Sequence, residues 1–169
     1  MKNSLLKKIL FLSLLLVGYS AVFCQADSTA PAYLKYPVIP QFTVYKAPDS
    51  AAFSRNNLQK SKPVVFMIFS PECEHCQRET DTLLAQIDKM KDAQIVMITY
   101  LPYAEMIEFY KKYNIAHYPQ ITMARDTKFF FPVFFKVRNL PSIYVYDKKG
   151  DFKRNFEGSV RIDLLSAAL

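Results

Sequence analysis

The feature that most constrains the fold of this chain is an apolar run that ends in a pair of cysteines. Residues 63–69 read PVVFMIF, continuously apolar and partly β-branched, which is the pattern of a strand buried on both faces. Ser70-Pro71 forms a turn signal directly after this run. From Cys73 to about Met90, apolar side chains recur every three or four residues, which predicts an amphipathic helix. The sequence therefore predicts a strand, a turn and a helix, with Cys73 and Cys76 at the helix start.

The rest of the chain alternates between apolar strands and helices. We expect a second buried strand at 95–100, a helix that begins after Pro102, and a loop that contains His117. Asp126 or Thr127 is expected to cap a short phenylalanine-rich helix that runs to about residue 135. The other predicted segments are an extended leader at 27–41, an edge strand at 42–45, a short helix at 51–58, a hairpin of strands 142–146 and 152–156, and a helix at 160–168. This order predicts an α/β fold, a three-layer sandwich in which helices flank a mixed central β-sheet.

The first 24 residues have the layout of a secretory signal peptide. Lys2, Lys7 and Lys8 precede an apolar stretch, and smaller residues follow it. The apolar stretch is shorter than the roughly 18 to 20 residues that span a bilayer, so a retained membrane anchor is the less favoured alternative. Acylation of Cys24 is a third option, against which Phe23 argues, because the residue before a lipidated cysteine is normally small. We expect export to the periplasm, with cleavage near residues 24–26.

Composition limits the size and the partners of the exported part. With 169 residues, of which 51% are hydrophobic and 22% charged, the chain suits one folded domain rather than a disordered segment. The net charge of +7 would permit an anionic partner, but the cations look scattered, and removal of the signal peptide lowers the charge to +4. Nucleic acid is therefore not expected as a partner. The predicted organisation is a signal peptide at 1–24, an N-terminal extension at 25–62 and the main domain at 63–169.

The two cysteines that remain after cleavage have the spacing of a thiol pair that exchanges disulfides. A thiolate is the nucleophile in this chemistry, and the N–H groups and positive dipole end of a helix favour it. In a C-x-x-C turn on a helix, the first sulfur faces outward and the second is partly covered, so Cys73 can attack and Cys76 can resolve the mixed disulfide. We expect His75 to stabilise the Cys73 thiolate, whereas Glu72 and Glu74 oppose it through like charge.

A second motif makes the chain resemble a known family. The segment 137–147 reads VRNLPSIYVYD, and together with the apolar strand and the C-x-x-C turn it resembles a thioredoxin-fold domain. More narrowly, the chain from Pro63 onward is similar to exported thiol-disulfide oxidoreductases of the TlpA/ResA type. The resemblance implies a thioredoxin-like fold in which Pro141 is cis and lies against the cysteines, and Leu140 offers its backbone to an extended substrate.

The same resemblance assigns a role to one acid and excludes another kind of protein. Glu79 lies three residues after Cys76, where proteins of this type carry a glutamate that influences thiol acidity and proton transfer. Met67 stands where ordinary thioredoxins have a buried aspartate, and no tryptophan precedes Cys73. We therefore do not expect a general cytosolic thioredoxin.

In terms of function, the resemblance implies an enzyme, a protein disulfide oxidoreductase whose redox-active disulfide joins Cys73 and Cys76. It implies the reducing direction, disulfide-containing or thiol proteins as substrates, and a membrane protein as electron donor, with no cofactor and no metal. The alternative from another class is a non-catalytic binding module, such as a copper(I) chaperone that uses both cysteines and a histidine.

Four further features have simpler interpretations. A zinc site is disfavoured because it normally needs four ligands, and a peroxiredoxin site because Phe66 stands where its proline should be. His117 is expected to be an ordinary loop residue. The aromatic run 129–135 is expected to form core and groove wall, with a few rings exposed beside the cysteines to hold substrate.

Overall fold

The architecture comes from a computed structural model, which describes residues 30–169. The signal peptide expected at 1–24 and its cleavage near residues 24–26 lie outside the described residues. Within residues 30–169 the strands are β1 (Thr43–Lys46), β2 (Ala52–Ser54), β3 (Val64–Ile68), β4 (Gln94–Thr99), β5 (Ile121–Arg125), β6 (Ser142–Tyr146) and β7 (Phe152–Glu157). The α-helices of this part are α1 (Ala32–Lys35), α2 (Glu74–Ala85), α3 (Tyr103–Lys112), α4 (Phe130–Phe135) and α5 (Ile162–Ser166).

All these strands join in one mixed sheet, in the order β2-β1-β5-β4-β3-β6-β7. The central strands β3, β4 and β5 run parallel, and the strands on either side of them pair antiparallel. Because β3 has neighbours on both sides and helices on both faces, each of its five residues is buried. This explains why its sequence is continuously apolar instead of alternating.

The side chains of β3 point alternately to the two faces of the sheet, so this strand contributes to two cores. Val65 and Met67 pack in the core that α2, α3 and α5 cover. Phe66 and Ile68 pack in the other core, under α1 and α4. Helices on both faces of a mixed sheet make three layers, which confirms the predicted fold class.

Two segments of the sheet differ from the sequence-based expectation. The short helix expected at 51–58 is wrong, because Ala52–Ser54 pairs with β1 as a strand and only Arg55–Asn57 forms a 3-10 turn. The loop expected after His117 contains β5, which pairs in parallel with β4. In both cases pairing with another strand decides the conformation, and the sequence of the segment alone does not report it.

The helices keep their predicted places but not all of their bounds. Backbone angles at Gln86 leave the helical region, so α2 ends at Ala85 and a separate 3-10 turn follows at Ile87–Met90. The extended leader expected at 27–41 contains α1, whose Tyr33 is buried in the core under α4. Among the described residues, no helix has the length and apolar character needed to span a membrane.

Candidate active site

The antiparallel pairing of β6 with β3 places the proline loop, residues 139–141, beside the cysteine turn, residues 70–76. Ile68, the last residue of β3, pairs with Ser142, the first residue of β6. The Leu140–Pro141 peptide directly precedes β6 and is therefore held next to the segment that leads from β3 to the cysteines. This peptide bond is cis, as the resemblance implies. The Ser142 hydroxyl fixes the loop by donating a hydrogen bond to the carbonyl oxygen of Asn139 at 2.7 Å.

Cys73 caps the N-terminus of α2 with its own sulfur atom. Its Sγ accepts a hydrogen bond from the backbone N–H of Cys76 at 3.3 Å, so a free N–H of the first helical turn points at this sulfur. The same Sγ lies 3.8 Å from the carbonyl oxygen of Leu140, within reach of a weak S–H donor. Cys73 is half-buried and Cys76 is fully buried. The pair thus has one accessible and one covered thiol.

The surroundings of Cys76 disfavour its thiolate. Burial raises the pKa of the Cys76 thiol to about 12, and the hydrogen bond with Cys73 and the charge of Glu79 act in the same direction. The backbone of Ser70 lowers the pKa without reversing the shift. Cys76 is therefore protonated at neutral pH and needs a proton acceptor before it can attack a disulfide.

Glu79 is a buried acid one helical turn after Cys76, with only 2% of its surface exposed. Burial raises the pKa of its carboxyl group, while hydrogen bonds from the Val160 backbone and the Ser159 side chain lower it. Val160 N–H donates to Oε2 at 3.1 Å. The other oxygen, Oε1, is buried and has no hydrogen-bond partner among the described residues. A carboxyl group in this state can take up and return a proton near a buried thiol.

The segment 158–160 belongs to the site, and the sequence analysis missed it. Gly158 N–H donates to the carbonyl oxygen of Pro141 at 2.8 Å, so the segment contacts the proline loop as well as Glu79. Gly158 has a φ of 79°, in the left-handed region that favours glycine. Two of these contacts use backbone N–H groups, which any residue except proline can offer. Only the glycine after a predicted strand signals a turn here.

His75 is exposed, and its ring contacts a neighbour on the solvent side of α2. Arg78 donates from Nη2 to Nδ1 of His75 at 3.0 Å, and its Nη1 lies 3.6 Å from Oε2 of Glu74. Because arginine only donates, Nδ1 is the acceptor in this bond. No hydrogen bond between His75 and either sulfur occurs in the described part of the chain. Its influence on the Cys73 thiolate stays a prediction.

The aromatic run 129–135 lies on the opposite face of the sheet from α2. Phe131 and Phe135 are buried in the core of that face. The exposed members, Phe129 at 48% and Val133 at 70%, line a cavity of about 870 Å³ that no residue of the cysteine turn or the proline loop reaches. The expectation of exposed rings beside the cysteines is therefore wrong, because α4 packs against the other core.

The two histidines do not join the cysteines in a metal site. His117 lies in the 3-10 turn Ile115–His117, where its Nδ1 is 2.6 Å from the side-chain oxygen of Asn114. Among residues 30–169, no three His, Cys, Asp or Glu side chains are grouped so as to hold a metal ion. The third ligand of the copper alternative is thus not in place beside the two sulfurs.

Comparison with known families decides where this arrangement belongs. The family model of a thioredoxin-like domain matches residues 53–169, more than two thirds of the chain. The chain belongs to the thioredoxin-like domain family. The match begins within β2 and takes in every later strand, together with the cysteine turn and the proline loop.

Three solved structures illustrate what the fold of this chain is similar to. DsbF of Mycobacterium tuberculosis, solved in mixed oxidized and reduced forms, is 25% identical over 83% of this chain and 96% of its own, with a TM-score of 0.64. A secreted disulfide oxidoreductase of the same organism, homologous to DsbE of E. coli, is 23% identical over 76% of this chain and 93% of its own, with a TM-score of 0.63. StoA of Bacillus subtilis is 14% identical over 78% of this chain and 97% of its own, with a TM-score of 0.57. No curated protein sequence matches the chain.

These findings confirm the thioredoxin-like fold and family expected from the two motifs. They also support the expectation of a thiol-disulfide oxidoreductase, since a disulfide oxidoreductase of Mycobacterium tuberculosis has this fold.

Proposed function

We propose that this protein is an extracytoplasmic thiol-disulfide oxidoreductase that reduces disulfides of protein substrates through Cys73 and Cys76. The observation that carries the proposal is the asymmetry of the pair. Cys73 is accessible and receives an N–H at the helix start, whereas Cys76 is buried beside an acid with a raised pKa. A pair of this kind separates attack on a substrate from resolution of the intermediate.

In the first half of the reaction, the disulfide bond of the substrate is exchanged for a disulfide bond between the substrate and Cys73. The Cys73 thiolate attacks one sulfur of the substrate disulfide, the substrate S–S bond breaks, and a mixed disulfide forms between Cys73 and the substrate. The other substrate sulfur leaves as a thiolate and takes a proton from water. The backbone N–H of Cys76, at 3.3 Å from Cys73 Sγ, stabilises the attacking thiolate before this step.

The second half releases the reduced substrate. Glu79 accepts the proton of Cys76 through its unpaired Oε1, and the Cys76 thiolate attacks the sulfur of Cys73. The mixed disulfide breaks, the second substrate sulfur leaves as a thiolate, and a Cys73–Cys76 disulfide remains. Two electrons have passed from the dithiol to the substrate.

The proline loop forms the substrate-binding part of the proposal. The Leu140 carbonyl oxygen lies 3.8 Å from Cys73 Sγ, so a backbone that pairs with Leu140 would bring its own cysteine to this sulfur. Pro141, cis and buried, shapes the loop that presents Leu140. Main-chain pairing is tolerant of side-chain identity, which suits an enzyme that acts on protein disulfides.

Location and electron supply complete the proposal. The signal-peptide layout of residues 1–24 and the secreted neighbour support export, with an extension at 25–62 ahead of the catalytic domain at 63–169. Each turnover leaves the cysteines oxidised, so the enzyme needs two electrons from a donor that reaches the export compartment. We assign this role to a membrane protein.

A redox titration tests this function and its direction. The purified protein is equilibrated with a series of reduced and oxidised glutathione, and its thiols are counted by alkylation and mass spectrometry. We expect Cys73 and Cys76 to oxidise together as one two-electron couple, well below the value of about −120 mV of strong oxidants. A midpoint near that value would contradict the reducing direction. Two thiols that never form an internal disulfide would contradict the exchange function itself.

A further inference from the structure

A second cleft lies at the end of the sheet where β3 begins, opposite the end that carries the cysteines. It has a volume of about 570 Å³ and is lined by Ile39 and by residues of the segments 55–64 and 147–150. Val64, the first residue of β3, lines this cleft, whereas Cys73 follows the last residue of the same strand. Five residues at about 3.3 Å each separate the two ends of β3. A ligand in this cleft would therefore not touch the active-site sulfurs.

The lining of the cleft is strongly cationic. Asp147 is its one carboxylate, so the net charge of the lining is +4 in a chain of net charge +7. The cations, which look scattered along the sequence, are Arg55, Lys60, Lys62, Lys148 and Lys149. None of them takes part in the ion pairs of residues 30–169. The fold thus gathers charges that have no carboxylate partner of their own at ion-pair distance.

One wall of the cleft is held in place by the side chain of Gln94, at the start of β4. Its Oε1 accepts the backbone N–H of Gln59 at 2.8 Å, and its Nε2 donates to the carbonyl oxygens of Gln59 at 2.8 Å and Lys62 at 3.4 Å. These bonds fix both ends of the loop that carries Lys60 and Lys62. The two lysines therefore project from an ordered backbone.

The other wall is the turn between β6 and β7. The Asp147 carboxylate accepts the backbone N–H groups of Lys149 at 2.9 Å and Asp151 at 3.1 Å, and Gly150 N–H donates to the Asp147 carbonyl at 2.9 Å. These backbone bonds lower the pKa of Asp147, with help from the charges of Lys153 and Lys149. The single acid of the cleft is thus occupied in forming the turn, and it leaves Lys148 and Lys149 in defined positions.

We propose that this cleft binds a small molecule that carries two or more phosphate groups. Phosphate oxygens form strong charge-assisted hydrogen bonds with lysine and arginine. Because the cations lie on two separate walls, a ligand that contacts both walls needs more than one phosphate group. The volume lies within the range of about 300 to 1,000 Å³ that is usual for small-molecule sites. Amide groups of Asn56 and Gln59 and the hydroxyl of Ser61 add neutral donors to the same lining. A concave lining of this kind suits a small anion better than a flat membrane surface.

Calorimetric titration of the purified protein with inorganic tripolyphosphate tests the proposal. We expect one binding site per chain, with an affinity that falls as sodium chloride is added, because salt screens the cations. The double variant Lys148→Gln/Lys149→Gln should weaken binding at least about tenfold. The control Lys111→Gln/Lys128→Gln removes the same charge from residues outside the cleft and should bind as the unchanged protein does.

Two results would overturn the proposal: tripolyphosphate does not bind, or both double variants lose the same affinity for it. If tripolyphosphate does not bind and the cleft variant loses affinity for phosphatidylglycerol vesicles in a sedimentation assay, the cleft recognises lipid headgroups instead. Disulfide exchange by the Lys148→Gln/Lys149→Gln variant serves as the folding control, because the cleft lies away from Cys73, and it should remain unchanged.

Discussion

At the scale of single residues, the site is governed by a buried thiol and a buried acid that share one side of α2. Both Cys76 and Glu79 have pKa values raised by burial, and each ionised form makes the other less favourable. The Ser159–Val160 segment offsets part of this penalty, because its hydrogen bonds favour the ionised carboxylate of Glu79.

The first prediction concerns the acidity of Cys76. Replacing Glu79 by Gln removes the negative charge that raises the pKa of Cys76, so this pKa should fall while staying above the ordinary thiol value because of burial. The rate at which iodoacetamide alkylates Cys76, followed by mass spectrometry and plotted against pH for the reduced protein, measures the change, because only the thiolate reacts. Asp81→Asn removes an exposed acid from the same helix and should leave the curve in place. A Cys76 titration that is identical in the Glu79→Gln and unchanged proteins would contradict the coupling.

The second prediction concerns stability against pH. The pKa of Glu79 is raised in the folded state above its ordinary value of 4.5, so the folded state holds the proton more tightly than the unfolded state. The free energy of unfolding should then fall as the pH rises from 4.5 through the raised pKa. Glu79→Gln carries no such proton, so its stability relative to the unchanged protein should grow as the pH rises above 4.5. Urea unfolding at several pH values measures this difference, and parallel curves for the two proteins would contradict it.

At the scale of elements, an aromatic core packs under α4, on the face of the sheet opposite α2 and the cysteines. Phe131 is fully buried there, and its ring contacts those of Phe42, Phe66 and Phe135 at 5.2, 5.2 and 5.8 Å between centroids. Asp126 anchors the helix start, since its Oδ2 accepts the backbone N–H of Phe131 at 2.8 Å. A six-residue helix has little stability of its own, so these contacts keep it folded.

The third prediction separates the buried and exposed members of α4. Phe131→Ala should lower the free energy of unfolding by about 3 to 5 kcal/mol, because it leaves a cavity among packed rings. Val133→Ala, on the exposed side of the same helix, should change it by less than about 0.5 kcal/mol. Urea unfolding of both reduced variants measures the difference. Equal losses would mean that α4 does not pack as described.

The elements also show what sequence could and could not predict. The strand at 63–69 can be predicted because burial on both faces requires an unbroken apolar run. The cysteine turn can be predicted because disulfide exchange within one turn requires the C-x-x-C spacing. The strand Ile121–Arg125 is short, with Thr122 and Arg125 only half-buried, and its pairing with β4 supplies the order that local sequence lacks. Residues 51–58 show the reverse case, in which pairing with β1 overrides a helix-like composition.

At the scale of the whole molecule, the parallel strands set the positions of both proposed sites. The cysteine turn and the proline loop meet at the carboxyl end of β3, because β6 begins where β3 ends. The basic cleft lies at the other end of β3, between the loop before that strand and the β6–β7 turn. Sequence predicted Cys73, Cys76 and the cis Pro141, since motifs mark them. It could not predict the contact of segment 158–160 with Glu79, or the convergence of five cations, because both depend on backbone positions brought together only by folding.

The most direct test of the central claim is a trapping measurement on the resolving cysteine. Reduced Cys76→Ser protein is mixed with a peptide that contains a single disulfide, and the products are analysed by non-reducing mass spectrometry. We predict a stable covalent adduct on Cys73, since its thiol can attack but no second thiol can release the peptide. The matched variant Cys73→Ser retains only the buried thiol and should form little adduct. Equal adduct on both variants, or none on Cys76→Ser, would contradict the assignment of Cys73 as the attacking thiol.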